Sequence, residues 1–177
     1  MKTFEIWSLA IQIVGILAVV VTILYASKQI RINKNIHKET LEWNRKTVTE
    51  NELNNRHDKE IRSFLTKKFQ AYVEKGICKI PLVKIQDAIR DEIDIQLQIH
   101  SYLNRYERIS RGIKNGLYDR AMIISAMKYV IVKVYFNYED YIEYRRTIAN
   151  KNSWKHFESL AKELNNEYKI HTDPSEE

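Results

Sequence analysis

Asn104 and Glu107 stand three residues apart, so on a helix they share one face, with Leu103 and Tyr106 beside them. An amide and a carboxylate set into an apolar stripe can hold a ligand, or they can orient a neighbouring helix through hydrogen bonds. Buried polar groups are as a rule hydrogen-bonded, which favours a structural pair, with Arg145 or Arg146 as an alternative partner. The five histidines, His37, His57, His100, His156 and His171, all lack a glutamate three residues earlier, and no His-Glu-x-x-His occurs. The helical di-metal and zinc-hydrolase spacings are therefore missing. There is no Gly-rich phosphate loop and no Gly-x-Ser-x-Gly. The single cysteine, Cys78, lies between Ile77 and Ile80, where a packed thiol is expected, and it permits neither an internal disulfide nor a zinc cluster. Tyr129, Tyr135, Tyr138, Tyr141 and Tyr144 form a run of rings, expected to fill a core with hydroxyls at its rim. No catalytic residue, cofactor site or metal site is expected.

These residues hang on a chain whose strongest signal is elsewhere. Ile6 to Ser27 contain no charge. As a helix the run is about 33 Å long, enough for a hydrocarbon core of roughly 30 Å. A cleaved leader would have a shorter apolar region and a small-x-small exit; here Leu24 stands where a small residue belongs. The run predicts a retained transmembrane anchor over 1–27, including Ile6, Trp7, Gln12, Gly15, Ala18, Thr22, Tyr25 and Ala26. Trp7 and Tyr25 suit the two headgroup levels. Gln12 and the small face Ala18-Thr22-Ala26 would permit close approach of a second helix. Lys2 alone precedes the run, whereas Lys28, Arg31, Lys34 and Lys38 follow it. Positive charge stays cytoplasmic, so a single pass of the inner membrane is expected, with the N-terminus outside and the C-terminal domain in the cytoplasm.

The net charge of +6 is unevenly placed: residues 28–80 carry 13 basic and 7 acidic side chains, residues 81–177 carry 15 of each. The excess beside the anchor fits contact of Lys28, Arg31, Lys34 and Lys38 with anionic inner-leaflet lipids, worth about 1 kcal/mol per well-placed cation. The neutral distal part does not fit a nucleic-acid surface.

Between Gly15 and Gly76 there is neither Gly nor Pro. Helix formers dominate, and the sparse apolar positions of 28–60 follow no heptad seam, predicting a basic, polar helical stalk. The stripe Ile61, Phe64, Leu65, Phe69, Tyr72, Val73 marks entry into a packed helical bundle over 61–170, and Gly76 reads as a C-cap. One helix is expected from near Pro81 to about Lys114 on the stripe Ile85, Ile89, Ile93, Leu97, Leu103, Tyr106, Ile109, Ile113, ended by Asn115-Gly116. Asp119 should cap a core helix over about 120–149, and Ser153 a last helix over about 154–169. Residues 171–177 read as a disordered tail. The fold class is all-α: a transmembrane helix, a long polar stalk helix and a bundle of about four helices.

Four stretches occur in order: Tyr102-Leu-Asn-Arg-Tyr-Glu-Arg-Ile109, Gly112-Ile-Lys-Asn-Gly-Leu-Tyr-Asp119, Tyr141-Ile-Glu-Tyr-Arg-Arg146 and Ser153-Trp-Lys-His-Phe-Glu-Ser-Leu-Ala161. In these the chain resembles a bacterial family of membrane-anchored helical proteins, domain-of-unknown-function family 4760. The resemblance implies the anchor-and-bundle architecture and supplies no catalytic residue. Arg31 and His37 also match the Arg-x(4–6)-His spacing of HEPN-type helical ribonucleases, but they lie against the anchor, outside the bundle. The expected function is a non-enzymatic, membrane-tethered interaction module that binds a protein partner or a second copy of itself. A small membrane effector of phage-exclusion or toxin type, acting by oligomerisation, is the first alternative, and a degenerate helical ribonuclease the second.

Overall fold

The computed structural model describes residues 2–69 and 79–170, without the side chains of 2–6, 8–14, 16 and 56–58. Gly76, Cys78, Tyr72, Val73 and the tail from His171 lie outside the described residues, as do the side chains of Ile6, Gln12 and His57. Six helices follow one another: α1 (Lys2–Leu53), α2 (Arg56–Phe69), α3 (Leu82–Asp91), α4 (Ile93–Lys114), α5 (Arg120–Ile148) and α6 (Lys155–Tyr168). The fold is all-α, with no strand among the described residues. The chain divides into two units, residues 1–44 and the compact unit 45–177.

In the first unit, α1 runs through both the apolar and the basic segments without a break. The expected transmembrane helix finds no support among the described residues, none of whose helices is long and apolar enough to cross a membrane. The large apolar side chains described along α1 from Leu17 to Tyr25 are all exposed, as is Trp7.

The compact unit is built on α4, α5 and α6. α6 packs against both of the others, α2 and α3 pack on α4, and α3 also meets α5. Its core is aromatic. Tyr106 stacks on Phe157 with centroids 5.2 Å apart, Phe157 meets the edge of Tyr135, and Tyr102 lies edge-on between Tyr106 and Tyr138. Tyr135, Tyr138 and Tyr141 are buried, whereas Tyr129 is exposed.

Three helix boundaries depart from the periodicity. α1 ends at Leu53 although no Gly or Pro is near, because Asn54-Asn55 makes the turn, Asn54 N–H still donating to the Glu50 carbonyl. The helix expected over 81–114 is two helices, parted by Glu92 in an extended conformation (φ −148°, ψ 103°). That break resets the helical phase: Ile93 and Leu97 are exposed, at 75% and 66%, while Ile95 and Ile99 are buried in their place. Ser153 does not cap α6; Trp154 takes the N-cap position in the left-handed region (φ 55°) with no side-chain cap of its own. Asp119 does cap α5, its carboxylate accepting from Met122 N–H at 3.0 Å.

The last two turns of α1 belong to the compact unit. Glu52, with 11% of its side chain exposed, accepts from Arg105 Nε at 3.2 Å, with Arg105 itself 8% exposed. The same carboxylate accepts from Arg108 Nη2 at 3.1 Å and from the Tyr118 hydroxyl at 3.3 Å, and the Glu52 carbonyl accepts from Arg105 Nη2 at 2.9 Å. Thr49 Oγ1 accepts from Asp119 N–H at 2.8 Å and donates to the Arg45 carbonyl. Burial tends to lower Arg108, but its bond to Glu52 outweighs this and holds it above its ordinary value. Tyr118 can reach Glu52 because its ring lies flat over Gly112, where any Cβ would run into it.

Two outcomes follow for chemical denaturation of the full chain. Glu52→Ala takes the carboxylate from the buried Arg105 cation, which keeps its bond to the residue-52 carbonyl, and should cost about 3 kcal/mol, whereas Arg108→Ala, at an exposed side chain, should cost under about 1 kcal/mol. Gly112→Ala forces the Tyr118 ring aside and should cost about 1–3 kcal/mol, with a matching fall in the unfolding midpoint.

Candidate functional site

Asn104 and Glu107 meet the start of α6. The Trp154 indole N–H donates to Asn104 Oδ1 at 2.8 Å, and the Phe157 backbone N–H donates to Glu107 Oε2 at 2.9 Å. His156 Nδ1 lies 3.4 Å from the other oxygen, Glu107 Oε1. Phe157 is the third residue of α6, so its N–H has no acceptor within its own helix. A carboxylate there satisfies a free donor and faces the positive end of the helix dipole. Glu107 thus does from α4 what Ser153 was expected to do from the preceding residue. Ser153 is otherwise engaged, its carbonyl accepting from Arg146 Nε at 2.9 Å. Among the described residues, the bonds of Asn104 and Glu107 go to Trp154 and Phe157.

A cleft of about 600 Å³ opens beside this junction, with Arg111, Asn152 and Lys155 on its walls. Glu107 and His156 have the types of an acid–base pair. The carboxylate is committed to a backbone N–H, so the arrangement positions a helix rather than a proton. Among the described residues no group of three His, Cys, Asp or Glu could hold a metal ion.

Two further clusters went unnoticed in the sequence. At the first, Arg146 Nη1 pairs with Glu158 at 2.8 Å, Lys162 Nζ approaches the same carboxylate at 2.7 Å, and the Tyr135 hydroxyl donates to it at 3.2 Å. Burial alone would raise Glu158, but Lys162 and Arg146 prevail and hold it below the usual carboxylate value. Burial, then the Glu158 charge, pushes the Tyr135 hydroxyl far up, so it stays a donor. At the second, His100 Nε2 is 2.9 Å from the Tyr141 hydroxyl, and its ring packs on Trp154 at 5.6 Å. Burial first, and the Arg145 charge second, lower His100 below its ordinary value of 6.5. Burial pushes Tyr141 up to about 12. Spacing shows only the Glu158–Lys162 pair, four apart on α6; the other members come from different elements. Arg105, a charged residue inside an apolar stripe, was a further readable hint of a buried partner.

The anchor and headgroup candidates are spread along α1. Trp7, Gly15, Ala18, Thr22, Tyr25 and Ala26 are exposed, as are Lys28, Arg31, Lys34, Lys38 and His37. Thr22 Oγ1 donates to the Ala18 carbonyl at 2.8 Å, so its hydroxyl is satisfied within its own helix. Lys38 lies 4.0 Å from Glu42.

Replacing Glu107 removes a cap without touching the aromatic core. Glu107→Ala should cost about 1–2 kcal/mol in denaturant unfolding, and Glu107→Gln, which keeps an acceptor, about half as much. The lowered His100 gives a stability term fully present above pH 6.5 and lost as the pH falls through the still lower folded value. Between about pH 7.5 and about pH 5.5 the wild-type denaturation midpoint should therefore fall further than that of His100→Gln.

A family model, Domain of unknown function (DUF4760), matches residues 9–164 of the chain. No curated protein and no solved structure matches it. The chain belongs to the DUF4760 family.

Proposed function

We propose that this DUF4760 protein is a non-enzymatic interaction module, tethered by a single N-terminal span to the inner membrane with its helical bundle in the cytoplasm. The observation that carries the reading is the charge-free run from Ile6 to Ser27. Within it Leu17, Val19, Val20, Val21, Ile23 and Leu24 are exposed on a helix where no other part of the described chain covers them. Apolar side chains in an unbroken row need a lipid or protein surround. The exposed Lys28, Arg31, Lys34 and Lys38 that follow set the direction of insertion and suit anionic headgroups.

Recognition of a protein partner is assigned to the compact unit. Ile93 and Leu97 lie one turn apart on α4 and are both largely exposed. Such a pair on one helix face suits helix-on-helix docking, by a partner or by a second copy. The polar junctions of the unit are engaged in holding helices together, which supports binding rather than bond chemistry.

Alkaline carbonate extraction of membranes tests the tether on the full chain. The wild type should stay in the pellet, and Leu17→Arg with Val20→Arg, the first near mid-span and costing about 2.5–3.5 kcal/mol, should move it to the supernatant. Extraction of the wild type itself would sink the tether. Proximity labelling then tests the docking pair: Ile93→Glu with Leu97→Glu should lose a labelled neighbour while leaving thermal stability unchanged.

A further inference from the structure

A second cleft, about 370 Å³, lies between α3, the start of α4 and the end of α5. Its polar lining residues are two arginines, Arg90 and Arg145, two glutamines, Gln86 and Gln96, and the tyrosines Tyr141 and Tyr144. Among the described residues no carboxylate lines it. Arg145 Nε is buried and has no hydrogen-bond partner among the described residues. A buried cationic N–H without an acceptor is costly, and its closure from solvent leaves the outer guanidinium N–H groups as the ones a cleft ligand would meet. Arg90 is held only by Asp87, at 3.5 Å across an exposed pair, a contact easily exchanged. The Tyr141 hydroxyl is fixed in place by His100 at 2.9 Å.

From this convergence of donors without a matching anion, we propose that the cleft binds a small organic phosphomonoester of about mononucleotide size. Two guanidinium groups, reaching in from α3 and α5, match a dianion better than a monoanion. A phosphomonoester carries about −1.5 to −2 charges at neutral pH, whereas a carboxylate carries one. The planar forks of arginine suit its tetrahedral oxygens, and the amides and phenols offer further donors. The volume is at the lower end of the about 300–1,000 Å³ of small-molecule sites and exceeds what bare phosphate fills. Ile89 and Ile148 give the cleft apolar sides against which an organic group can lie, with the Tyr144 ring beside them.

Calorimetric titration of the full chain, held in phosphatidylcholine nanodiscs, tests this with three probes: adenosine monophosphate, inorganic phosphate and adenosine. Adenosine monophosphate should bind saturably, inorganic phosphate more weakly, and adenosine not at all. Arg145→Gln and Arg90→Gln should each weaken adenosine monophosphate at least about ten-fold. Arg90 is exposed, so its variant keeps the test valid should Arg145→Gln fail to fold. Equal affinity of wild type and Arg90→Gln, equal binding of adenosine, or no saturable heat from adenosine monophosphate at millimolar concentration would each overturn the site.

Discussion

The Glu52 carboxylate is the constraint on which the compact unit turns. A charge this far from water is tolerated only when its partners are fixed, and three side chains converge on it: Arg105, Arg108 and Tyr118. Those partners come from α4 and from the turn after it, so one carboxylate sets how the end of α1 meets both. The Thr49 hydroxyl extends the same seam to the backbone at the start of α5. Tyr118 can join only because residue 112 has no side chain. Hydrophobic burial alone would hold these helices together loosely; the ion pair selects the register.

Two other helix ends follow a related rule, in that side chains from elsewhere satisfy orphan backbone groups. Glu107 on α4 serves the start of α6, and Lys84 on α3 donates to the Phe69 carbonyl at the end of α2. Ile80 N–H donates to the Asn137 carbonyl, tying the chain before α3 to the middle of α5, while Lys79 pairs with Asp140 and Glu139 nearby. The Asp140 bond, the largest influence, keeps Lys79 above its ordinary value. The four stretches by which the chain resembles its family fall at such junctions. Tyr102–Ile109 carries the partners of Glu52 and α6, Gly112–Asp119 the turn and the α5 cap, and the last two the Arg146–Glu158 contact.

Helix type was legible nearly throughout, because periodicity and composition act locally. Phase was not. Glu92 interrupts a stripe that looks continuous in one dimension, and its extended backbone turns Ile93 and Leu97 outward. The polar pair Asn104 and Glu107 was visible as an anomaly on an apolar face, but its partners lie 50 residues away in Trp154 and Phe157. Glu52 was hidden by its setting: among so many charged neighbours nothing marks one glutamate as half-buried. The cap expected of Ser153 failed for a reason that only packing reveals, since Arg146 holds its carbonyl and Trp154 turns the backbone left-handed.

The Glu52–Arg105 pair also has a consequence in time. The two residues are separated by 53 positions, and a ribosome adding about 5–20 residues per second needs roughly 3–10 s to pass from one to the other. Thr49 waits longer still for Asp119, 70 positions on. Arg105 therefore emerges from the tunnel that much later than Glu52, and in between the end of α1 stands outside with its carboxylate hydrated and its seam unmade. The register of the compact unit is thus settled late, when α4 arrives to close it, and a nascent chain stalled before Arg105 would display that open seam to whatever chaperone or protease meets it first.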